Sequence, residues 1–232
     1  MRCTLIIPAR DESELIEGVL YGIRENVDIE FECLIVVDTE FDQTIPLVRS
    51  ISNLDSRFKI IINSLGSGPA MAIRTGMKEA SSDVLVVTMA DGSDDARDIP
   101  KLVRLVERGI DVACASRYMP TGQQIGAPLL KALLSRIAGK SLSFIARVGT
   151  RDATNSFKAY KSSFIAKVGI DSSFGFEIGI EMVAKAKRNG GLVAEVPTVW
   201  IERTAGVSKF VSLAWMKEYL RWYLYAIGFG KK

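Results

Sequence analysis

Short apolar runs alternate with amphipathic helical patterns through the first half of the chain, and this alternation is the feature that most restricts the fold. The first run, at 3–9, contains Pro8 and is followed by a helical pattern over 12–26. Similar runs follow at 31–37, 58–63, 83–89 and 110–116. Strands that alternate with helices pair in parallel, so the sequence predicts an α/β fold with a mostly parallel sheet flanked by helices.

The second half of the chain has longer helical patterns and fewer strand-like runs. We expect helices over 129–148 and 176–189 and strands over 152–160 and 192–201. These elements should complete the layers around the sheet.

Residues 212–232 combine aromatic and basic side chains in one helical pattern. The aromatic members are Trp215, Tyr219, Trp222, Tyr223, Tyr225 and Phe229, and the basic members are Lys217, Arg221, Lys231 and Lys232. Such rings and cations both find partners at a membrane interface, although aromatic stripes also pack on a parent domain. We expect one domain over 1–211 and an amphipathic C-terminal helix over 212–232 that contacts a membrane surface.

Composition excludes several classes of function. The 232 residues contain no histidine, which rules out imidazole bases and histidine metal sites in this chain. The three cysteines lie in or beside apolar runs without metal-ligand spacing, which indicates reduced, buried thiols of a cytoplasmic protein. A net charge of +3 does not indicate nucleic-acid binding. No apolar run of about 18 residues occurs, so we expect attachment to the cytoplasmic face of a membrane without a transmembrane helix.

Acidic residues follow three of the predicted strands. Glu12, Asp38 and Asp91 stand after the first, second and fourth runs. Ligands of open α/β sheets bind beyond the carboxyl ends of the strands, so these carboxylates predict a metal and a phosphorylated ligand at that edge. For Asp94 and Asp95, a role in starting the next helix is equally plausible.

A glycine-rich segment at 66–71 follows the third strand and opens a helix. Met71 stands where a dinucleotide-binding motif requires its third glycine, so an NAD site is not indicated. The segment predicts a turn whose amide groups help to hold another ligand.

Basic residues occur where they could bind phosphates. Arg117 follows a strand, Lys131 lies early in a helix, and Arg203 and Lys209 flank a loop that contains Gly206. Diphosphates and phosphate acceptors require such cations, although most lysines and arginines are ordinary surface charges.

These segments together resemble the dolichol-phosphate mannose synthase group of the family-two inverting glycosyltransferases over nearly the whole chain. In order along the chain they are IPARDE, VVDTEFDQT, GSGPAMAIRTGMKEA, MADGSDD, ASRY, DATNSFKAY, FEIGIE, EVPTVW and ERTAGVSKF. Each motif alone is a weak signal, but the ordered set is strong.

The resemblance implies a GT-A fold, a nucleotide-activated sugar such as GDP-mannose, a divalent cation (Mg²⁺ or Mn²⁺) and a polyprenyl-phosphate acceptor. Carried over by position, the donor site comprises Pro8, Arg10, Glu12, Asp38, Ala90, Asp91 and Arg203. The acceptor phosphate would be held by Arg117, Lys131, Ser135 and Lys209. Asp91 and Ser93 would hold the metal, and Asp91, Arg117 and Arg203 would be catalytic.

The chain departs from the group's motifs at the metal site and at the nucleoside pocket. Met89 replaces the first Asp of the Asp-x-Asp motif, which leaves Asp91 and Ser93, with Asp94 as a further candidate, to share a cation with diphosphate and water. Arg10 and Asp11 replace the usual Tyr-Asn pair, which leaves the base and the sugar open.

The acceptor determines the chemistry that is needed. A lipid phosphate is already anionic and needs no strong base, whereas a sugar hydroxyl would need a carboxylate base, for which Asp152 and Glu181 are the candidates. This chemistry leaves both acceptors open, and the resemblance implies a polyprenyl-phosphate glycosyltransferase. A glycosyltransferase that acts on a glycan hydroxyl and a catalytically silent sugar-nucleotide binding module remain alternatives.

Overall fold

A computed structural model describes residues 3–203 and 212–230 of the chain. The strands in these residues are β1 (Cys3–Ala9), β2 (Phe31–Val37), β3 (Phe58–Ile62), β4 (Val84–Val87), β5 (Val112–Ser116), β6 (Gln123–Ile125), β7 (Lys158–Lys161), β8 (Val193–Pro197) and β9 (Val199–Ile201). The α-helices are α1 (Ile16–Asn26), α2 (Ile45–Ser52), α3 (Pro69–Glu79), α4 (Ile99–Glu107), α5 (Leu129–Ile145), α6 (Ser162–Val168), α7 (Ile178–Arg188) and α8 (Ser212–Ala226).

Seven strands form the central sheet, in the order β3-β2-β1-β4-β7-β5-β8. Neighbouring strands are parallel except at β7, which is antiparallel to both β4 and β5. A second, two-stranded sheet pairs β6 with β9. The predicted α/β fold with a mostly parallel sheet is confirmed.

The core lies on both faces of the sheet. Every residue of β1 and β2 is buried, as is expected of central strands that are covered by helices on each side. One face packs against α1, α2 and α4, and the other packs against α3 and α7. The three cysteines are free and buried as predicted, and burial raises the pKa of Cys3 to about 12, so this thiol stays protonated.

Two of the predicted strands differ from the observed ones. Within the range 152–160, only Lys158 onward is a strand, because the residues before it form a loop in which Asn155 Nδ2 donates to the Ala115 carbonyl. The range 192–201 forms two strands, β8 in the main sheet and β9 in the second sheet. The chain passes from one sheet to the other at the buried Thr198. A single apolar run can therefore contribute one strand to each of two sheets.

The predicted amphipathic C-terminal helix is present as α8, although it ends at Ala226 and not at residue 232. Trp222 and Tyr225 are buried against the α7 side of the core, and Trp222 Nε1 donates to Ser172 Oγ at 3.0 Å. Leu220 and Leu224 are exposed on the helix. No helix among the described residues is long and apolar enough to cross a membrane. The division of the chain at residue 211 remains a prediction.

Helix α3 approaches the sheet closely at Gly76, and this contact generates a prediction for stability. A methyl group at Gly76 would clash with Ile6 Cγ2 and would lie 3.2 Å from Val36 Cγ2, whereas one at Gly18 in α1 would meet no atom within 4 Å. We expect Gly76→Ala to lower the free energy of unfolding by about 1–2 kcal/mol. The control Gly18→Ala should raise it by about 0.5–1 kcal/mol, since alanine favours helix more than glycine does.

Urea-induced unfolding of both variants tests this contact. Equal effects of the two substitutions would show that α3 does not approach the sheet as closely as described.

Candidate active site

A cavity of about 1150 Å³ opens at the carboxyl ends of the parallel strands β1, β2 and β4. Charged residues form one part of its wall, and apolar residues of α5 and α8 form another. The charged members are Arg10, Glu12, Asp38, Asp91, Arg117, Glu202 and Arg203. The apolar members from α5 and α8 include Leu130, Leu134, Met216 and Leu220.

Arg203 joins two of the acidic residues that follow strands. Its Nη2 atom lies 2.9 Å from Asp91 Oδ2 and 3.3 Å from Glu12 Oε1. Burial alone would lower the pKa of Arg203, but its hydrogen bond with Asp91 and the charges of Asp91 and Glu12 raise the pKa. Arg203 therefore stays charged at the cavity wall, between the ends of β1 and β4.

The three carboxylates of the loop after β4 have different surroundings. Asp91 Oδ1 accepts from the Ser93 amide at 3.1 Å, and Asp91 lines the cavity. Asp94 is half-buried and accepts from the Met89 amide at 3.0 Å, and loss of hydration together with the Asp91 charge raises the pKa of Asp94 to about 7. Asp95 accepts from the Arg97 amide, as expected of a helix-start residue. Only Asp91 of these three belongs to the cavity wall.

The donor atoms at Asp91 fit a divalent cation that is shared with a ligand. No group of three or more acidic or cysteine side chains among the described residues could hold a metal ion by itself. Mg²⁺ commonly binds through one or two carboxylates, phosphate oxygens and water. The single carboxylate of Asp91 matches that mode, and the Ser93 side chain lies beside it, buried in the same wall.

Asp38 holds the glycine-rich turn that precedes α3. Its Oδ1 atom accepts from Asn63 Nδ2 at 3.0 Å, and both of its carboxylate oxygens lie 3.1 Å from the Gly68 amide nitrogen. Gly68 has φ +103°, a conformation that glycine adopts readily. The predicted turn is therefore present, and Asp38 fixes it at the cavity edge through the Gly68 amide.

Arg117 is fixed by a buried ion pair. Its Nε atom lies 2.7 Å from Asp152 Oδ2, and its Nη2 atom lies 2.8 Å from Asp152 Oδ1 and 3.2 Å from Ser135 Oγ. Ser135 in turn shares a 2.8 Å hydrogen bond with Thr154 Oγ1. Burial opposes the charge on Arg117, but the Asp152 carboxylate outweighs burial and raises the pKa of Arg117. A permanent cation therefore stands at the cavity wall.

The profile of the family described as glycosyl transferase family 2 matches residues 4–169. The chain belongs to this family. Polyprenol monophosphomannose synthase of Mycolicibacterium smegmatis is 31% identical over 217 residues, which cover 90% of this chain and 80% of that protein. Dolichol-phosphate mannosyltransferase of Pyrococcus furiosus is 29% identical over 228 residues, and the match covers 95% of this chain but only 62% of that longer protein.

Solved structures support the same fold for this family-two glycosyltransferase. Glucosyl-3-phosphoglycerate synthase of Mycobacterium tuberculosis, in complex with Mn²⁺, UDP and glucosyl-3-phosphoglycerate, matches with a TM-score of 0.74 and 16% identity. The match covers all of this chain and 81% of that one. The predicted GT-A fold is confirmed, and so is the prediction of an enzyme of the hexosyltransferase class.

The structure brings most of the predicted site residues of this glycosyltransferase together. Around the one cavity lie Pro8, Arg10, Glu12, Asp38, Ala90, Asp91, Ser93, Arg117, Ser135 and Arg203. Lys209 and the side chain of Lys131 fall outside the part of the chain that the structure describes. The roles assigned to all of these residues remain predictions.

The two carboxylates considered as a base for a hydroxyl acceptor are both buried and committed to other contacts, so that expectation is wrong. Asp152 is bound to Arg117. Glu181 is fully buried, 2.6 Å from Lys185 Nζ, and it accepts from the Ser172 amide at 2.9 Å. Neither residue lines the cavity, and an unprotonated base must reach its substrate.

The contacts of Lys158 and Glu202 were not predicted from the sequence. The buried Lys158 Nζ donates to the carbonyl oxygens of Ala153 and Asn155, and these bonds hold the loop before β7. Glu202 lines the cavity directly before Arg203. Glu202 could have been predicted as a site residue, because it stands next to Arg203, a predicted phosphate-binding residue. Nothing in the sequence shows that Lys158 is buried.

The buried pair generates a prediction for stability. Asp152→Asn leaves the Arg117 charge buried without its partner, so we expect it to lower the free energy of unfolding by about 3 kcal/mol. The control Arg97→Gln breaks the exposed pair with Asp95 and should leave unfolding nearly unchanged. Urea titration of both variants measures the difference, and a similar small effect of both would contradict the proposed support of Arg117.

Proposed function

We propose that this glycosyltransferase moves a hexose from a nucleoside-diphosphate sugar, with GDP-mannose as the first candidate, to a polyprenyl phosphate. The observation that carries the proposal is that one cavity has both a charged wall and an apolar wall. A lipid phosphate needs both surfaces, because its head is anionic and its chain is apolar. The names of the two relatives support the same acceptor class and the same sugar.

The donor is assigned to the end of the cavity that contains Asp91 and Arg203. Pro8, Arg10 and Asp38 would border the nucleoside, and Glu12 would act with Arg203. Asp91, with Ser93 beside it, would hold Mg²⁺ or Mn²⁺. When bound, the cation would offset negative charge on the departing nucleoside diphosphate. Arg203 supplies a further positive charge for the same leaving group, and both its carboxylate contacts fix its orientation.

The acceptor phosphate is assigned to Arg117 and Ser135. Asp152 holds the Arg117 guanidinium in one orientation. Binding of a phosphate therefore does not require the further entropy loss of ordering this side chain. Lys131 and Lys209 are the further predicted cations. The nucleophile is an anionic phosphate oxygen, so the absence of a base at Asp152 and Glu181 is no obstacle. Attack in line with the departing diphosphate would invert the anomeric centre.

We also propose that α5 and α8 dock on the cytoplasmic face of a membrane. Leu129, Leu133, Ile137 and Phe144 lie on one face of α5 by their helical spacing, and each is exposed. Leu129 is 89% and Phe144 is 86% exposed. The basic residues Arg136 and Lys140 of α5 and Lys217 and Arg221 of α8 are exposed as well. Apolar and basic side chains together suit an anionic lipid surface. Residues 212–232 would form part of this docking surface, beside the domain 1–211.

A transfer assay tests the proposed reaction. Radiolabelled GDP- and UDP-sugars are incubated with polyprenyl phosphate and Mn²⁺, and the label in the organic phase is counted. We expect Asp91→Asn to lower kcat/KM by about 100-fold or more, because the cation that would offset the charge of the leaving group loses its carboxylate ligand. The control Asp83→Asn, at the opposite end of β4, should keep full activity.

The location of the label separates the alternatives. Label on a soluble glycan would support a hydroxyl acceptor instead of a lipid phosphate. Nucleotide binding without any transfer would support a silent binding module.

Vesicle sedimentation tests the docking surface. We expect the double variant Leu129→Glu/Phe144→Glu to reduce binding to anionic phospholipid vesicles by about tenfold or more, because two apolar side chains are lost from the interface and two negative charges are added. The control Leu54→Glu changes a residue that is 74% exposed just after α2, on the other face of the sheet. Equal binding by the two variants would refute the assignment of α5.

A further inference from the structure

Glu202 differs from the other acidic residues of the cavity wall in its hydrogen bonds. It lines the cavity, and its Oε2 atom is buried without a hydrogen-bond partner among the described residues. The other acidic residues of the cavity wall are engaged, since Glu12 and Asp91 bind Arg203 and Asp38 binds Gly68. A buried carboxylate oxygen without a donor is costly, and most such groups in proteins are satisfied. A hydrogen-bond donor from a ligand would remove this cost.

The position of Glu202 indicates which part of a ligand it meets. Trp200 and Glu202 both line the cavity, two residues apart in an extended segment. The Trp200 ring centre lies 5.9 Å from the Arg117 guanidinium carbon, at the proposed acceptor side. Arg203, the next residue, binds Asp91 at the proposed donor side. Glu202 therefore lies between the two sides, where the transferred sugar must lie.

The surroundings hold Glu202 in this place. Its amide donates to the Ile125 carbonyl at 2.9 Å, and the Ile201 amide donates to the Ser93 carbonyl at 3.2 Å. Gly126 has φ +79°, and a methyl group there would lie only 3.1 Å from Glu202 Cβ. The backbone and Cβ are thus fixed, while the terminal torsion of a glutamate is broad and lets either oxygen face the cavity.

The negative charge of Glu202 determines which chemical groups of a bound donor or acceptor it can contact favourably. Both phosphate groups are anions and would be repelled by the carboxylate. A sugar hydroxyl is a neutral donor, and a carboxylate accepts its hydrogen bond strongly. We infer that Glu202 accepts a hydrogen bond from a hydroxyl of the transferred hexose and thereby takes part in selecting the sugar. This inference rests on the proposed function.

Calorimetric titration of paired ligands tests the inference. GDP-mannose and GDP, and UDP-glucose and UDP, are each titrated with Mn²⁺ present. For the sugar nucleotide that wild type binds, Glu202→Met should weaken binding about tenfold or more, with binding of the matching nucleotide changed less than twofold. Glu202→Gln, which keeps one acceptor oxygen, should fall between. The control Glu107→Gln makes the same charge change at the exposed end of α4 and should alter neither affinity.

Two further measurements separate a sugar contact from a structural role. The melting temperature of Glu202→Met should be no lower than that of wild type, because no internal partner is lost. Among the deoxy analogues of the bound sugar, one should bind wild type about tenfold more weakly than the parent, and this difference should vanish in Glu202→Met. A lower melting temperature or unchanged discrimination would overturn the inference.

The outcomes distinguish this inference from the proposed function. Equal weakening of sugar nucleotide and nucleotide, or a changed Mn²⁺ requirement alone, would place Glu202 at the diphosphate and overturn the sugar contact. Wild type that binds a sugar nucleotide but transfers nothing to polyprenyl phosphate would refute the proposed function, while the paired titrations would still decide the role of Glu202. Wild type that binds neither sugar nucleotide would refute both.

Discussion

The reversed direction of β7 is the constraint on which the cavity depends. Because β7 is antiparallel to β4 and β5, its amino end lies beside the carboxyl ends of its neighbours, with Lys158 opposite Val87. The loop that precedes β7 therefore enters the sheet edge where parallel strands normally place their ligands. That loop brings Asp152 to Arg117 and Thr154 to Ser135. A fully parallel sheet would put this loop at the opposite edge and leave Arg117 without its partner.

The buried charged side chains described near the cavity are held either by hydrogen bonds or by an opposite charge, and this has a structural consequence. Lys158 is held by carbonyl oxygens and Arg117 by a bidentate carboxylate, so each stays in a single position. Breaking one buried pair is much more costly than breaking a surface pair, because an uncompensated charge remains. Glu202 is the exception among the described acidic residues of the wall. A ligand that supplies the missing partner of such a group gains more binding free energy there than at a group that already has a partner.

The sequence predicts the parallel sheet and most of the cavity wall because both follow from local patterns. Strand ends carry Asp38 and Asp91, and parallel strands bring their ends to one edge. The bridge between Glu12 and Arg203 spans 191 positions and depends on tertiary packing that no local pattern contains. For the same reason, Asp152 resembled an available base in the sequence, although it is the fixed partner of a buried arginine.

The burial of helix α5 could not be predicted from its sequence pattern. Its apolar residues extend around the helix, a pattern that normally indicates a helix buried on all sides. Of the α5 side chains that the structure describes, only Leu142 belongs to the core, whereas Leu134 lines the cavity and Phe144 is exposed. An isolated exposed apolar residue is ordinary, but a stripe of them beside an apolar cavity wall is not. Under the proposed function, a lipid chain would enter from the membrane along this stripe and reach the apolar wall of the cavity beside it.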